Sequence, residues 1–361
     1  MEARDSRPGH RRSVAVLGAT GLVGQRFIQR LHAHPWLRIT VLGASARSAE
    51  LTYRHACNWR LSTPMPDEVA DMVVVACDPA LFQGVEIVFS ALDSSVAGHI
   101  EDEFAQAGFA VFTNAANHRM DNHVPILVPF VNPSHLEAVS MQRSTSKTSG
   151  FIVANANCSS TGLAVALKPL EDAFGIESVF VTTLQAVSGA GYPGVSSMDI
   201  VDNVIPLIRG EEDKLETEPQ KILGQWDSAA SGQFVPVQIH ISAHCNRVAV
   251  RDGHTACVSV RLRQSASAEQ VERVFRDFQS PVGKLGLPSA PERPIIVASS
   301  PNRPQPLLDR DAGDGFSVTV GRIRSCSLLD VKFVCLSHNT VLGAAGGSIL
   351  NAELSIVNGL L

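Results

Sequence analysis

The sequence predicts an α/β chain in two parts: a doubly wound parallel sheet, then an α+β unit with a mainly antiparallel sheet. Three observations carry this. The first strand-like run, Ser13–Leu17, ends at a glycine and passes straight into helical spacing. Strand-like runs then alternate with helical ones up to residue 150, as in a parallel sheet with crossover helices. Beyond it, strands alternating apolar and polar residues dominate, as in a sheet with one covered face. The 361 residues suit about two domains.

Taken in order, Ser13–Leu17 (SVAVL) is the first strand. From Leu22, the residues Val23, Phe27 and Leu31 recur at helical spacing. Further strands are predicted at Arg38–Leu42, Met72–Cys77, Glu86–Leu92, Phe109–Asn114 and Pro125–Val131, with a helix over Ile100–Ala107. Gln142–Gly150 (QRSTSKTSG) reads as a mobile polar loop and a domain border. Ser159–Phe174 then carries Leu163, Leu167, Leu170 and Phe174 on one helical face. Strands are predicted at Ser178–Ala186, Phe234–Ala243, Arg247–Val250 and Cys257–Leu262, and near Phe316–Val320 and Asp330–Leu336. Ala268–Phe278 is a helix with Val271, Val274, Phe275 and Phe278 inward. Gly343–Leu361 is a glycine-rich turn and an apolar helix expected to pack back on the first domain.

Composition excludes several classes. Hydrophobic residues at 45% and charged residues at 18% describe a packed globular chain, not a disordered one or a coiled coil. A net charge of −5 gives no basic field to hold nucleic acid. No apolar run reaches the ~20 residues that span a bilayer. Seven cysteines without a CxxC fit neither a disulfide framework nor a zinc site, and no metal is expected. They suit a reducing, cytoplasmic setting. Residues 1–12 read as a disordered tail, and no secretory signal stands behind them.

Gly18-Ala19-Thr20-Gly21-Leu22-Val23-Gly24 lies between a strand and a helix, where glycines let the backbone approach a pyrophosphate at the helix N-terminus. This is a Rossmann-type dinucleotide loop. The second strand ends in Ala44-Ser45-Ala46-Arg47-Ser48 without an acid for a ribose 2′-hydroxyl. Ser45, Arg47 and Ser48 suit a 2′-phosphate, so the cofactor is expected to be NADP.

Asn157-Cys158-Ser159-Ser160 puts Cys158 at a helix N-terminus, where the dipole and free N–H groups should lower the thiol pKa. The other cysteines read as small buried hydrophobes. A thiolate nucleophile needs a proton-transfer partner. His254, at a strand end beside Gly253, is a candidate, while His10, His32 and His34 read as surface residues. The charges from Glu211 to Lys221 read first as a solvated helix face, and Arg119 as a surface arginine.

Taken together, these motifs resemble the aspartate-semialdehyde dehydrogenase family, and in particular its fungal and archaeal-type branch. The matching strings are GATGLVGQRF at Gly18, NANCSSTGL at Asn155, TLQAVSGAGYPG at Thr183 and EEDKLETEPQKILG at Glu211. CNRVAVRDGHT at Cys245, PNRPQP at Pro301, GRIR at Gly321 and SHNTVLGAAGGSILNAE at Ser337 continue the match to the C-terminal helix. The resemblance implies NADP-dependent reductive dephosphorylation of L-aspartyl-4-phosphate to aspartate semialdehyde, in amino-acid biosynthesis. It implies Cys158 as the nucleophile that forms a thioacyl-enzyme, His254 as acid/base, Gln185 as the orienting residue and Asn157 beside the nucleophile. Arg247 would clamp the α-carboxylate, Glu211 the α-amino group, and Lys214 with Arg119 the phosphate. Gly18, Thr20, Gly21, Leu22 and Val23 would line the cofactor, with Ser188, Gly189 and Asn339 nearer the nicotinamide.

The expected organisation is an NADP-binding domain of residues 13–156 and 338–361 and a catalytic and dimerisation domain of residues 157–337. Partners would be the small substrate, inorganic phosphate and further copies of the chain in a homodimer or homotetramer, with no nucleic acid or membrane. Three positions depart from the family pattern: Ala256 where His-Thr is often followed by Glu, Leu307 where Arg often follows Pro-Gln-Pro, and Phe130 where an acid often follows Val-Pro. They leave open a divergent paralogue acting on another acyl phosphate or acyl-CoA. A non-catalytic nucleotide-binding regulator is the reading from another class, and intact Cys158, His254 and Gln185 argue against it.

Overall fold

The computed structural model describes residues 10–228 and 232–361. Residues 1–9 of the expected tail lie outside the described residues. Arg12 does not belong to a tail: it opens strand β1 (Arg12–Leu17) opposite Leu37 and pairs with Glu86.

The first sheet is parallel throughout, built from β1, β2 (Leu37–Ala44), β3 (Val74–Ala76), β4 (Ile87–Ser90), β5 (Ala110–Thr113), β6 (Ile126–Leu127) and β7 (Phe151–Asn155). Its order is β3-β2-β1-β4-β5-β7-β6, so the winding reverses between β1 and β4. A crevice opens at the carboxyl ends of those two strands. Helices α1 (Leu22–Leu31), α2 (Ser94–Gln106) and α3 (Ala138–Ser146) belong to this half. The polar patch expected as a loop is a correction: Gln142–Ser146 is the end of α3, which stops at Lys147 in the left-handed conformation. The Gln142 amide donates to the His123 and Ile152 carbonyls. Nor is residue 150 a border, because β7 still pairs with β5.

Helix α4 (Cys158–Phe174) follows β7 after two residues and crosses to the second sheet. That sheet comprises β8 (Ile176–Gln185), β11 (His240–Arg247), β12 (His254–Leu262), β13 (Ile295–Val297), β14 (Val318–Ser325) and β15 (Val331–Ser337), in the order β11-β8-β12-β15-β14-β13. Its three inner pairings are antiparallel, and the pairings at the two edges are parallel. A small ribbon, β9 (Gln225–Asp227) with β10 (Gln233–Val235), stands apart. Leu163, Leu167 and Leu170 of α4 are buried against this sheet and α6 (Ala268–Asp277). Helix α5 (Glu211–Leu223) packs on α4 and β11. Helix α7 (Gly346–Val357) is buried almost end to end and returns to α1, β4, β5 and β7, as the apolar sequence led us to expect.

Candidate active site

The chain passes from the end of β7 to the start of α4 at the meeting of the two sheets, and Cys158 is the first residue of the helix. Asn157 caps it: its Oδ1 accepts the Ser159 and Ser160 N–H groups at 2.9 and 3.3 Å. His254 opens β12 after Gly253, whose φ of +102° is open only to glycine without strain. The Cys158 Sγ and His254 Nε2 atoms are 3.2 Å apart. The Ala186 N–H donates to His254 Nδ1 at 3.1 Å, so the neutral ring carries its proton on Nε2, facing the sulfur.

Burial pushes the Cys158 thiol up to about 12. The Glu211 carboxylate adds to that shift, while Arg119 and Arg247 oppose it. Burial likewise pushes His254 down to about 3, with Arg247 acting in the same direction. The resting pair is therefore a neutral thiol beside a neutral imidazole. This corrects the expectation of a helix-end thiolate. The Asn157 side chain occupies two of the N–H groups that would stabilise one, and desolvation outweighs the dipole.

Around the sulfur the second domain gathers polar groups from separate elements. Glu211, the first residue of α5, accepts from Asn157 Nδ2 at 2.9 and 3.0 Å, Lys214 Nζ at 3.0 Å and Gln185 Nε2 at 3.3 Å. Gln185 and Arg247 end β8 and β11 and face each other in register. Arg247 Nη1 donates to the Ala186 carbonyl at 2.8 Å. Gly189 lies against Arg247 and His254: a Cβ there would stand 2.9 Å from Arg247 Nη1 and 3.1 Å from His254 Nε2.

Arg119 is buried, not a surface residue. It reaches in from the first domain and donates to the Asn155 carbonyl at 2.9 Å, the Asn114 carbonyl at 2.8 Å and Glu218 Oε1 at 2.9 Å. The solvated reading of α5 is likewise corrected, because Glu211, Glu218 and Lys221 are all buried. Glu218 and Lys221 were missed by sequence reasoning. The one available signal was spacing: residues 211, 214, 218 and 221 share a helical face. His34 is also buried, against Glu353, and Cys257 is exposed rather than buried. Of the three departures, Phe130 is fully buried in the first domain's core, Leu307 is exposed, and Ala256 is half-buried between Thr183 and Cys335.

The glycine loop fits a dinucleotide. Gly18 has φ +70°, and a side chain there would strike the Ala91 carbonyl after β4. Gly24 lets α1 close onto the loop, and a Cβ at Gly21 would meet only the Gly18 carbonyl at 3.4 Å. Thr20, Leu22 and Val23 are half-buried beside them. Ser45, Arg47 and Ser48 form the turn beyond β2, with Ser45 and Arg47 exposed. A cavity of about 230 Å³ lies between Leu22 and Arg26 of α1 and Ser188, Tyr192 and Thr340 of the second half. Asn339 connects it to the histidine, donating to Ser188 Oγ and accepting the Gly253 N–H, each at 2.8 Å. A larger groove of about 1280 Å³, near Asp102, His123 and Gln142, holds none of the residues around Cys158.

The fold that brings these residues together agrees with comparisons to known proteins. A family model described as semialdehyde dehydrogenase, NAD binding domain, matches residues 13–139. A second, described as semialdehyde dehydrogenase, dimerisation domain, matches residues 167–342. Aspartate-semialdehyde dehydrogenase of Cryptococcus neoformans is 52% identical over 356 residues, covering 96% of this chain and 98% of the relative. That of Archaeoglobus fulgidus is 48% identical over 346 residues, covering 96% and 98%. The crystal structure of the Candida albicans aspartate semialdehyde dehydrogenase with NADP has a TM-score of 0.90 at 47% identity, covering 98% of this chain and 100% of that one. The chain belongs to the aspartate-semialdehyde dehydrogenase family.

Proposed function

We propose that this enzyme catalyses the NADP-dependent reductive dephosphorylation of L-aspartyl-4-phosphate to L-aspartate 4-semialdehyde through a thioacyl intermediate on Cys158. The observation that carries this is the 3.2 Å approach of Cys158 Sγ to His254 Nε2 among Glu211, Arg247 and Arg119. Arg247 takes the substrate α-carboxylate as a bidentate fork, and Glu211 takes the α-ammonium. That second contact favours the thiolate, because a bound ammonium offsets the Glu211 carboxylate, which adds to the larger effect of burial in holding the thiol proton on. The sulfur attacks the acyl carbon and the bond to the phosphate oxygen breaks; the thiol proton leaves on the departing phosphate, whose charge Arg119 and Lys214 hold. Gln185 and Asn157 keep the acyl group and Glu211 in register, and His254 holds or returns a proton through Nε2. Residues Gly18 to Val23 would hold NADP, Ser45, Arg47 and Ser48 its 2′-phosphate, and Ser188, Gly189 and Asn339 its nicotinamide end, and the bound cofactor would supply the hydride chemistry.

In this reading residues 13–156 and 338–361 form the NADP-binding domain and residues 157–337 the catalytic and dimerisation domain. The enzyme is a cytoplasmic homo-oligomer joined through the outer face of the second sheet. Phe180 and Leu184 are exposed there on β8, and Phe180 lies edge-on to His244 of β11.

The test is phosphate-dependent reduction of NADP by the purified protein with L-aspartate semialdehyde, beside Cys158→Ala. Activity in the wild type and none in the variant is expected. A Cys158→Ala protein as active as wild type would overturn the thioacyl mechanism, and an inactive wild type the assigned reaction.

A further inference from the structure

Beyond the residues that touch substrate, α5 carries one buried carboxylate for which the reaction has no direct use. Glu218 is 2% exposed and its two oxygens face different partners. Oε1 accepts from Arg119 Nη1 at 2.9 Å, and Oε2 accepts from the Asn157 backbone N–H at 2.7 Å. Asn157 immediately precedes the nucleophile. One side chain therefore joins the proposed phosphate ligand, which comes from the first domain, to the turn that presents Cys158.

From this geometry we infer that Glu218 is a positioning residue, fixing the Arg119 guanidinium relative to the sulfur so that phosphate and acyl carbon are held at one spacing. The chemistry of the carboxylate is specific to the task. Two N–H donors converge on it, one at each oxygen, and only a group with two acceptor oxygens satisfies both. A glutamine offers one oxygen and one NH₂, so it turns a donor against either Arg119 or the Asn157 N–H. The rest of α5 strengthens the arrangement. Glu211 holds the Asn157 side chain from one turn of the helix while Glu218 holds its backbone from another. Lys221 donates to the carbonyls of Arg119, Asp121 and Val124 at 2.7, 2.8 and 2.8 Å, tying down the loop that carries Arg119. Asn157 and Arg119 are thus both set by one face of one helix.

The inference rests on the proposed reaction, and the experiment separates the two. Wild type, Glu218→Gln and Glu218→Asp are compared in phosphate-dependent NADP reduction, with KM measured separately for phosphate, L-aspartate semialdehyde and NADP, and with thermal midpoints. Leaving one buried donor unmatched should raise the phosphate KM of Glu218→Gln about tenfold, with the other two KM values within about twofold. Glu218→Asp keeps both acceptor oxygens and should lie between Glu218→Gln and wild type. It decides the matter on the same three constants if the glutamine variant does not fold. An unchanged phosphate KM, or a loss spread over all three substrates in step with the thermal midpoint, would overturn the positioning role. A wild type without phosphate-dependent activity would instead overturn the reaction assigned above.

Discussion

Replacing Gly189 with alanine adds a single methyl group at a crowded point of the site. The φ of Gly189 is not in the left-handed region, so alanine can take the same backbone conformation. Its Cβ would lie 2.9 Å from Arg247 Nη1 and 3.1 Å from His254 Cε1 and Nε2. Comfortable contact needs about 3.5–4.0 Å, so both side chains must give way by roughly half an ångström or more. The arginine end can swing. The imidazole is held on one side by the Ala186 N–H and meets Cys158 on the other. A displacement approaching 1 Å at reacting groups costs on the order of 10²-fold, and that is the expected fall in kcat/KM. Gly189 is exposed, so stability should change by no more than about 0.5 kcal/mol. The assay is the phosphate-dependent reduction of NADP, paired with a urea unfolding curve. Activity within threefold of wild type in a normally folded Gly189→Ala protein would refute the argument that Arg247 and His254 converge on one crowded pocket.

Two further outcomes follow from the same geometry. His254 has its folded-state pKa pushed from 6.5 down to about 3, so between those values the unfolded chain binds a proton that the folded one does not. Stability from this group is therefore present above pH 6.5 and lost as pH falls, at about 1.4 kcal/mol per unit, and His254→Asn should flatten that slope in unfolding curves at pH 7 and pH 5. An equal slope in the variant would exclude burial of a neutral His254. Placing a charge on the outer face of the second sheet with Phe180→Asp should split the oligomer, read by light scattering at micromolar concentration. An unchanged mass would move the interface elsewhere.

Local patterns in the sequence carry much of this protein. A strand, a glycine turn and a helix between Ser13 and Leu31 define the dinucleotide loop, because φ-positive glycine and a free helix end are local requirements. The start of α4 at Cys158 is equally local, since Asn157 caps it from the adjacent position. What sequence alone misread was decided by partners far along the chain. The run Gln142–Ser146 looks like a loop by composition, yet it forms the end of α3, and Gln142 binds backbone at His123 and Ile152. The charges of α5 look solvated by the same measure. They turn inward because Arg119, Asn157, Gln185 and the carbonyls of the Arg119 loop surround them there. The thiol pKa follows the same division. A helix N-terminus lowers it by a local effect, whereas burial and Glu211 raise it through tertiary packing. Periodicity reports which face of an element is apolar, but whether a buried charge is satisfied depends on donors that only the folded chain brings within hydrogen-bonding distance.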